Sequence, residues 1–396
     1  MLNTRGDLIT PAVDNKSRPA VSLVQINLQP HFGGGEVFTA FLCRALSKLG
    51  LSTRLLVHPR ADFWDRLGLP ADTVRIAVTE VTDLPRHLPE SPLWLLSHGP
   101  LPDALRGARP NHLRTAIAHM PLQGRKPSAF ADHDRIYAVS GWVRDGLQAA
   151  ELPVWAEPLY GVAELGIRGG NAEIYRSSRY DWDQRKGRDR LLGALEPLVE
   201  TLRPHPPFVR RECLTLGIVS RLTPIKQFPQ LFTYLAPLLA RHSEINLEIF
   251  GSGGYASVRD LDAALRPCRA RVRFWGQQKN VAAIYPQLDY LLSGLPEKEA
   301  LGLNIIEAQA SGTPVIAVNA PPFTETVVDN VTGFLYRDPR EDQGADFERL
   351  IKELLQGKAR PQPALAKEHL ARFSFDAFVE RLRPVVADAL GQLNRE

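Results

Sequence analysis

The sequence has few cysteines and no long apolar run. Its three cysteines (Cys43, Cys213 and Cys268) are scattered and lack the spacing of a metal site or a redox pair, which favours a reducing compartment. No apolar run reaches the roughly 18 residues that would suggest a membrane span. Residues 1–19 also lack the apolar stretch of a signal peptide. We therefore expect a cytoplasmic chain with a disordered lead over residues 1–19.

Positive and negative charges are close to balance. The 396 residues carry a formal charge of +4, and 44% of them are hydrophobic, which is enough to build ordinary cores. The mild basic bias suits a phosphorylated ligand or an anionic membrane surface. It is too weak to indicate nucleic acid, and no zinc-finger or RNA-binding aromatic motif accompanies it. We expect a globular protein of two domains with no nucleic-acid partner.

Short β-type runs alternate with helical patterns in both halves of the sequence, and the alternation restarts at residues 214–220. This βαβ rhythm predicts two parallel, doubly wound sheets. Residues 201–213 are rich in proline and arginine and lack sustained periodicity, so the domain boundary is expected there. We predict an N-terminal Rossmann-like acceptor domain over 20–207 and a C-terminal Rossmann-like donor domain over 208–375. A last helix over 376–393 is expected to pack back on the first domain.

Two glutamates accompany the predicted start of one helix in the second half. Glu299 lies in a strand-to-helix loop, and Glu307 lies about one turn into the helix. The first N–H groups of that helix, near Gly302 and Leu303, have no intrahelical acceptor, and the helix dipole favours an anion there. A diphosphate would fit, with Glu307 accepting ribose hydroxyls and Glu299 accepting sugar hydroxyls. Taken alone, Glu299 could instead be an acid of the first helical turn that interacts with the helix dipole, and Glu307 a solvated position of the helix.

Cations and glycines follow other predicted strands. Arg221 and Lys226 share one strand-to-helix loop and form a candidate phosphate clamp. Gly251 and Gly253 follow the next strand and would let the backbone approach a ligand closely, although a plain turn would use the same glycines. Gly34 lies in GGGE after the first strand, and no Gly-Lys-Ser/Thr follows to make a P-loop. Since open parallel sheets bind ligands beyond the carboxyl ends of their strands, these loops predict a ligand site.

Taken in order, the motifs resemble those of the retaining glycosyltransferases of family 4, glycosyl transferases group 1, which have the GT-B fold. GGGE looks like the family's Gly-Gly-x-Glu, and GIVSRLTPIK resembles its Val-Gly-Arg-Leu stretch followed by lysine. EALGLNIIEAQASGTPVIA is similar to its paired-glutamate motif. Ser220 stands where glycine is usual, and Leu301 replaces a typical aromatic residue. The resemblance covers most of the chain and implies an α/β protein of two Rossmann-like doubly wound domains facing an interdomain cleft.

The resemblance implies a catalytic role for four residues. Arg221 and Lys226 would hold the donor diphosphate. Glu299 would bind the donor sugar. His119, at the end of the predicted strand RTAIAHM, matches the histidine that the family places over the sugar's face and primary hydroxyl.

Further residues are implied to bind the donor. Glu307 would hold the nucleotide ribose, the amides of Gly302 and Leu303 would bind the distal phosphate and sugar, and Gly34 would touch the phosphate from the other domain. Glu325 also aligns with a family glutamate that follows the next strand, but it is not counted among the donor-binding residues. The base would be read by loops around 251–255 and 275–280, which do not reveal whether the donor is a UDP-sugar or a GDP-sugar.

The implied reaction is transfer of a hexose-like sugar to an acceptor hydroxyl, with retained anomeric configuration and no cofactor or metal ion. No Asp-x-Asp lies in a suitable loop; DWD at 181–183 leads into a charged helical pattern. No carboxylate is clearly placed as a nucleophile, so the family's same-face displacement is implied, with the leaving diphosphate stabilised by the cationic loop and the helix N-terminus.

The acceptor is expected to be a saccharide or lipid-linked saccharide, in lipopolysaccharide or other envelope polysaccharide biosynthesis. Residues 167–190 mix cations with aromatic side chains, which suits a lipid-phosphate headgroup or a saccharide and equally an interdomain connection. This composition allows a peripheral contact with the inner face of the membrane.

Two other functions remain open from the sequence. A GT-B sugar-nucleotide 2-epimerase would need additional acid/base residues near the sugar. A catalytically silent partner subunit that binds nucleotide would be expected to lack a cation or a glutamate, and Arg221, Lys226, Glu299 and Glu307 are all present. The order of the motifs favours transfer.

Overall fold

The chain folds around two parallel β-sheets. The structure is a computed structural model that describes residues 22–106, 111–163, 173–182, 187–202 and 206–394. The strands of the first sheet are β1 (Ser22–Asn27), β2 (Thr53–Val57), β3 (Thr73–Ala77), β4 (Leu93–Ser97), β5 (His112–Ala118) and β6 (Arg135–Ala138). They lie in the order β3-β2-β1-β4-β5-β6, and every neighbouring pair is parallel. This is the doubly wound order of a Rossmann-like domain.

The second sheet repeats the arrangement of the first. Its strands are β7 (Leu214–Val219), β8 (Ile245–Phe250), β9 (Val272–Gly276), β10 (Tyr290–Leu292), β11 (Val315–Val318) and β12 (Gly333–Tyr336). Their order is β12-β11-β10-β7-β8-β9, again with parallel neighbours. The prediction of two doubly wound sheets is therefore confirmed.

Helices cover the faces of both sheets. Within the described residues they are α1 (Gly34–Lys48), α2 (Gly141–Gln148), α3 (Gly187–Leu202), α4 (Phe228–Leu239), α5 (Tyr255–Ala264), α6 (Leu303–Ala310), α7 (Phe323–Thr326), α8 (Pro339–Asp342), α9 (Ala345–Leu355), α10 (Lys367–Ala371) and α11 (Phe375–Leu393). None of the described helices is long and apolar enough to cross a membrane.

Helix α11 packs on the first domain although it follows the second domain in sequence. Phe378 meets Phe38 of α1 edge to face, with ring centroids 5.4 Å apart, and Leu382 and Val385 are buried in the same core. The hydroxyl of Ser374 caps the helix by accepting from the amide of Ala377 at 3.2 Å. The first domain is therefore built from two separate parts of the sequence, one before and one after the strands of the second sheet.

The chain crosses between the sheets at two adjacent places. The amide of Ala163, on the outward crossing, donates to the carbonyl of Phe373, on the return crossing, at 3.0 Å. Residues 173–182 fall within the predicted first range, 20–207, yet they lie against the second sheet. The apolar side chain of Ile174 is buried in the core of that sheet, and its carbonyl accepts from the amide of Phe208 at 2.7 Å. The division at residues 207 and 208 stays a prediction.

Candidate active site

Three consecutive glycines at the start of α1 face three of the predicted site residues. A methyl group placed on Gly33 would lie 3.0 Å from Nη1 of Arg221, and one on Gly34 would lie 3.3 Å from Cδ1 of Leu303. On Gly35 it would lie 3.8 Å from Nδ1 of His119. The absence of side chains lets this loop come close to both the first sheet and the second domain.

Two helix N-termini meet where this glycine loop contacts the second domain. Gly34 is the first residue of α1 and Leu303 is the first residue of α6. Gly302 enters α6 in the left-handed region, with φ of 82°, and Asn304 Nδ2 anchors the helix start by donating to the carbonyl of Val219 at 3.1 Å. The first amides of both helices have no intrahelical acceptor, and both dipoles favour an anion. The structure thus brings Gly34, Gly302 and Leu303 together.

Arg221 reaches from the second domain to the first. It follows β7, is exposed, and donates from Nη1 to the carbonyl of Phe32 at 3.1 Å. Its charge also acts on Glu36, the buried acid of GGGE. Burial raises the pKa of Glu36, and hydrogen bonding from Asn27 and the nearby Arg221 guanidinium partly offset that rise. Arg221 therefore supplies a cation beside the two helix N-termini.

Lys226 and Glu299 form an ion pair with each other. Their side chains are 23% and 17% exposed, so the pair is largely withdrawn from solvent. Oε1 of Glu299 also accepts from the amide of Ala300 at 3.3 Å. The sequence predicted separate ligands for these two residues, phosphate for the lysine and sugar for the glutamate. In the structure each neutralises the other, and a donor would have to share or displace that contact.

Glu307 lies one turn into α6 beside a buried tyrosine. Its Oε2 accepts from the hydroxyl of Tyr285 at 2.8 Å. Burial raises the pKa of Glu307 to about 7, and the hydrogen bond from Tyr285 opposes the rise. The residue as a whole is only partly buried by its neighbours. Near neutral pH both its acid and its carboxylate form are present.

His119 lies directly after β5 and contacts a second histidine. Its Nε2 is 2.9 Å from Nδ1 of His98, which follows β4, and its ring meets Phe38 edge to face at 5.2 Å. Burial lowers the pKa of His119 to about 4, so the ring is neutral at physiological pH. His98 was not among the predicted residues. The signal was present, because LWLLSH and RTAIAH both place a histidine at the end of an apolar strand.

Gly251 and Gly253 approach the protein's own backbone. A methyl group on Gly251, whose φ is 147°, would lie 1.9 Å from the carbonyl oxygen of Ser220, and one on Gly253 would lie 2.0 Å from that of Leu222. The amide of Gly251 donates to the carbonyl of Gly276 at 2.7 Å, and that of Gly253 donates to the carbonyl of Arg179. The close approach predicted for a ligand is thus made by neighbouring strand-end loops. These backbone contacts explain why glycine is needed at both positions, even when no sugar donor is bound.

Residues 173–182 cover the loops that were expected to read the base. Ser252 donates to Asp181 Oδ1 at 2.6 Å, and the amide of Ser177 donates to the carbonyl of Trp275 at 2.9 Å. Within the expected acceptor or membrane segment, 167–190, residues 173–182 thus pack over this end of the second sheet. Residues 167–172 and 183–186 lie outside the described residues.

Glu325 makes a further contact between the two domains. Its carboxylate accepts from the amides of Gly141 and Trp142, at 2.8 and 2.6 Å, and from the hydroxyl of Tyr160 at 3.2 Å. Gly141 and Trp142 begin α2, and Ser140 accepts from the next amide, that of Val143. The second domain therefore completes the N-terminal cap of a first-domain helix.

Across the part of the chain that the structure describes, no group of three or more His, Cys, Asp or Glu side chains is arranged to hold a metal ion.

The sequence of the second domain matches a known family. Residues 210–368 match the family model described as Glycosyl transferases group 1. A D-inositol 3-phosphate glycosyltransferase of Corynebacterium diphtheriae is 29% identical over 185 residues, 44% of this chain and 42% of that protein. An alpha-monoglucosyldiacylglycerol synthase of Streptococcus pneumoniae is 30% identical over 139 residues, 35% of this chain and 31% of that protein. The match to these curated relatives spans less than half of their length.

Solved structures extend the likeness to both domains. HepE of Anabaena, crystallised with UDP and glucose, superposes with a TM-score of 0.66 over 93% of this chain and 99% of its own, at 14% identity. At that identity the likeness shows the fold alone. The predicted GT-B fold of two Rossmann-like domains is confirmed.

Proposed function

Since residues 210–368 match the family model of glycosyl transferases group 1, we propose that the chain is a glycosyltransferase whose donor is a nucleoside diphosphate sugar. The observation that carries the proposal is the meeting of the α1 and α6 N-termini at Gly34 and Leu303, with Arg221 beside them. Two positive helix ends and a guanidinium make a site for a diphosphate. The UDP bound to HepE supports a UDP-sugar as the first donor to test, with a GDP-sugar as the second.

In the proposed reaction, the bond from the sugar's anomeric carbon to the diphosphate oxygen breaks while a bond to the acceptor oxygen forms on the same face. The acceptor's proton passes to the leaving diphosphate. Arg221, Lys226 and the amides of Gly302 and Leu303 would stabilise the negative charge that develops on the diphosphate. Glu307 would accept the ribose hydroxyls, and Glu299 and His119 would orient the sugar.

The ion pair between Lys226 and Glu299 supports displacement without a carboxylate nucleophile. A glutamate that a lysine neutralises is less nucleophilic than a free one, whereas double displacement needs a carboxylate directly beneath the anomeric carbon. We therefore propose retention by same-face displacement, without a cofactor or metal ion. The anomeric configuration of the product, read by NMR in the presence of EDTA, tests both points. An inverted product or a loss of turnover with EDTA would contradict them.

The donor site is tested by calorimetric titration of the wild type and Glu307→Ala with UDP and GDP, without added metal. We expect one nucleotide to bind and the variant to bind it more weakly. Glu341→Ala, at an exposed position of α8, is the matched control. Absence of binding to both nucleotides would contradict the proposal. Conversion of UDP-N-acetylglucosamine to its 2-epimer would favour the epimerase, and nucleotide binding without turnover of any donor and acceptor pair would favour the silent subunit.

For the acceptor we propose a saccharide or lipid-linked saccharide of the cell envelope, such as lipopolysaccharide, reached at the membrane surface. Helix α3 supports this because it turns leucines outward: Leu191, Leu195 and Leu198 are 63%, 45% and 64% exposed. Arg188 and Arg190 lie exposed in its first turn. Apolar side chains flanked by cations suit an anionic lipid surface. The name of the Streptococcus pneumoniae relative describes a glucosylated diacylglycerol, which is a lipid, and this supports an acceptor that is reached at the membrane surface.

Cosedimentation with vesicles tests the membrane contact. We expect the chain to bind vesicles containing phosphatidylglycerol more than vesicles of phosphatidylcholine alone. Leu191→Gln combined with Leu195→Gln should abolish that binding, whereas Val209→Gln, at an isolated position that is 65% exposed, should not. Equal binding by the double variant would contradict the role of α3.

A further inference from the structure

His98 and His119 meet edge to edge. Their ring planes differ by only 14°, their centroids are 5.2 Å apart, and His98 Nδ1 lies 2.9 Å from His119 Nε2. At that distance one of the two nitrogens carries a proton and the other supplies a lone pair. The proton positions on the two rings are therefore coupled.

The outer nitrogen of His98 faces a buried glutamine. His98 Nε2 is 2.9 Å from Oε1 of Gln25, whose amide nitrogen points the other way, 3.5 Å from the sulfur of Cys43. Gln25 is fully buried on β1. An amide oxygen only accepts, so Nε2 of His98 carries the proton. Burial, and secondarily the neighbouring His119, holds the pKa of His98 well below its ordinary value, so the ring has a single proton.

Nδ1 of His98 is consequently a bare acceptor. The hydroxyl of Thr39 also lies 3.1 Å from it, but that hydroxyl donates along α1 to the carbonyl of Gly35 at 2.8 Å and accepts from Asn27 Nδ2 at 3.0 Å. Its one proton is thereby used. The lone pair of His98 is left for His119, which must donate to it from Nε2.

We propose that Gln25 and His98 are positioning residues that hold His119 in the tautomer with its proton on Nε2. Nδ1 of His119 is then an obligate hydrogen-bond acceptor. Among the described residues this atom has no hydrogen-bond partner, and it lies beside Gly35 at the start of α1. Which ring nitrogen of a histidine carries the proton is set by the hydrogen bond that the other nitrogen makes.

The tautomer decides which ligand group His119 can recognise. A bare nitrogen accepts a hydrogen bond from a hydroxyl and gains nothing from a phosphate oxygen, which has no proton to donate. The inference rests on the proposed function for the identity of the ligand: the group opposite Nδ1 is a hydroxyl of the donor sugar. The direction of the hydrogen bonds that link Gln25, His98 and His119 does not depend on a ligand and is a property of the protein alone.

NMR of the chain labelled with nitrogen-15 in its histidines, without ligand, tests the polarity. Signals are assigned by their loss in His98→Asn and His119→Asn. We expect protons on Nε2 of both rings, bare Nδ1 atoms, and a coupling across the hydrogen bond with His119 Nε2 as donor. A proton on Nδ1 of His98 or of His119 would overturn the proposal. Once the signals are assigned, the direction of the hydrogen bonds is decided by the wild-type spectrum alone.

Gln25→Leu tests the origin of the polarity, with Gln29→Leu, at an exposed position close in sequence, as control. Without the amide oxygen we expect His98 to lose its single tautomer and a second His119 form to appear. A Gln25→Leu spectrum identical to that of the wild type would overturn the role of Gln25. Because no donor is present, a failure to bind nucleotide sugars with the predicted tautomer in place would contradict the proposed function alone.

Discussion

The carboxylate of Glu325 accepts a hydrogen bond from the amide of Gly141 at 2.8 Å, and so fastens the second domain to a helix N-terminus of the first. The amide of Trp142 donates to the same group at 2.6 Å. A charged acceptor at a helix N-terminus gains both from hydrogen bonding and from the helix dipole. This contact links the domains without using any of the predicted donor-binding residues.

Glu325→Ala should lower the free energy of unfolding by about 1–2 kcal/mol, because the first two amides of α2 lose their acceptor. Urea denaturation followed by circular dichroism measures the change. Glu341→Ala, at an exposed first-turn position of α8, should change it by less than about 0.5 kcal/mol. Equal stability of the two variants would show that the contact does not hold the domains together.

Lys226→Met should reduce sugar transfer by about 100-fold or more, because it removes a cation from the diphosphate and leaves Glu299 as an unpaired charge. Steady-state kinetics with the donor found by titration measures this. Lys298→Met changes an exposed lysine next to Glu299 and should leave the rate unchanged. If the ion pair matters structurally, the stability losses of Lys226→Met and Glu299→Gln will sum to more than that of the double variant.

Binding of UDP-glucose should strengthen as pH rises to about 7 and then level off. Burial raises the pKa of Glu307 to about 7, and only the carboxylate accepts both ribose hydroxyls. Below that pH the affinity should fall about tenfold per pH unit. UDP-glucose suits calorimetry because its phosphates do not titrate near neutrality. Glu307→Gln should bind more weakly and without this dependence; an unchanged pH profile would remove Glu307 from the ribose site.

The stability of the ligand-free chain should change with pH in the opposite direction to ligand binding, falling as pH rises. The pKa of Glu307 rises from 4.5 to about 7 on folding, so its contribution is fully present below about 4.5 and is lost as pH rises through about 7. Over that window the melting temperature of the wild type should fall relative to that of Glu307→Gln. Parallel curves for the two proteins would contradict the raised pKa.

Gly251→Ala should destabilise the chain by more than about 3 kcal/mol, because a methyl group there would lie 1.9 Å from a backbone carbonyl at a positive φ. Gly254→Ala lies in the same loop, where a methyl group would have nothing within 4 Å, and should cost less than about 1 kcal/mol. Thermal unfolding compares the two. Similar melting temperatures would mean that the loop relaxes freely.

Most of the fold follows from the sequence because strands buried on both faces read as apolar runs. The exception is β3, which was not predicted: it lies at the sheet edge and none of its five residues is buried, so it leaves no apolar signal. The position of the ligand site could be predicted as well. The loops that contain Arg221 and Gly34 each follow a strand, and such loops lie together at the carboxyl edge of a parallel sheet.

The partners of the site residues could not be predicted. Lys226 and Glu299 are 73 residues apart, and nothing in either motif indicates that they neutralise each other. Gly251 fits a ligand-binding loop and a backbone crossing equally well by sequence, because both need a residue without a side chain. His98 was overlooked because a single histidine after a strand gains meaning only once β4 and β5 are known to be neighbours.

Helix α11 has a consequence for how the chain acquires its structure during synthesis. The first sheet emerges from the ribosome early, but the apolar side chains of α11 that complete its core are made only after the second domain. Domains fold as units while they are made. We therefore expect the second domain to reach its native state while the first still exposes apolar surface. A chain stopped before residue 375 should hold a folded second domain and an incomplete, aggregation-prone first one.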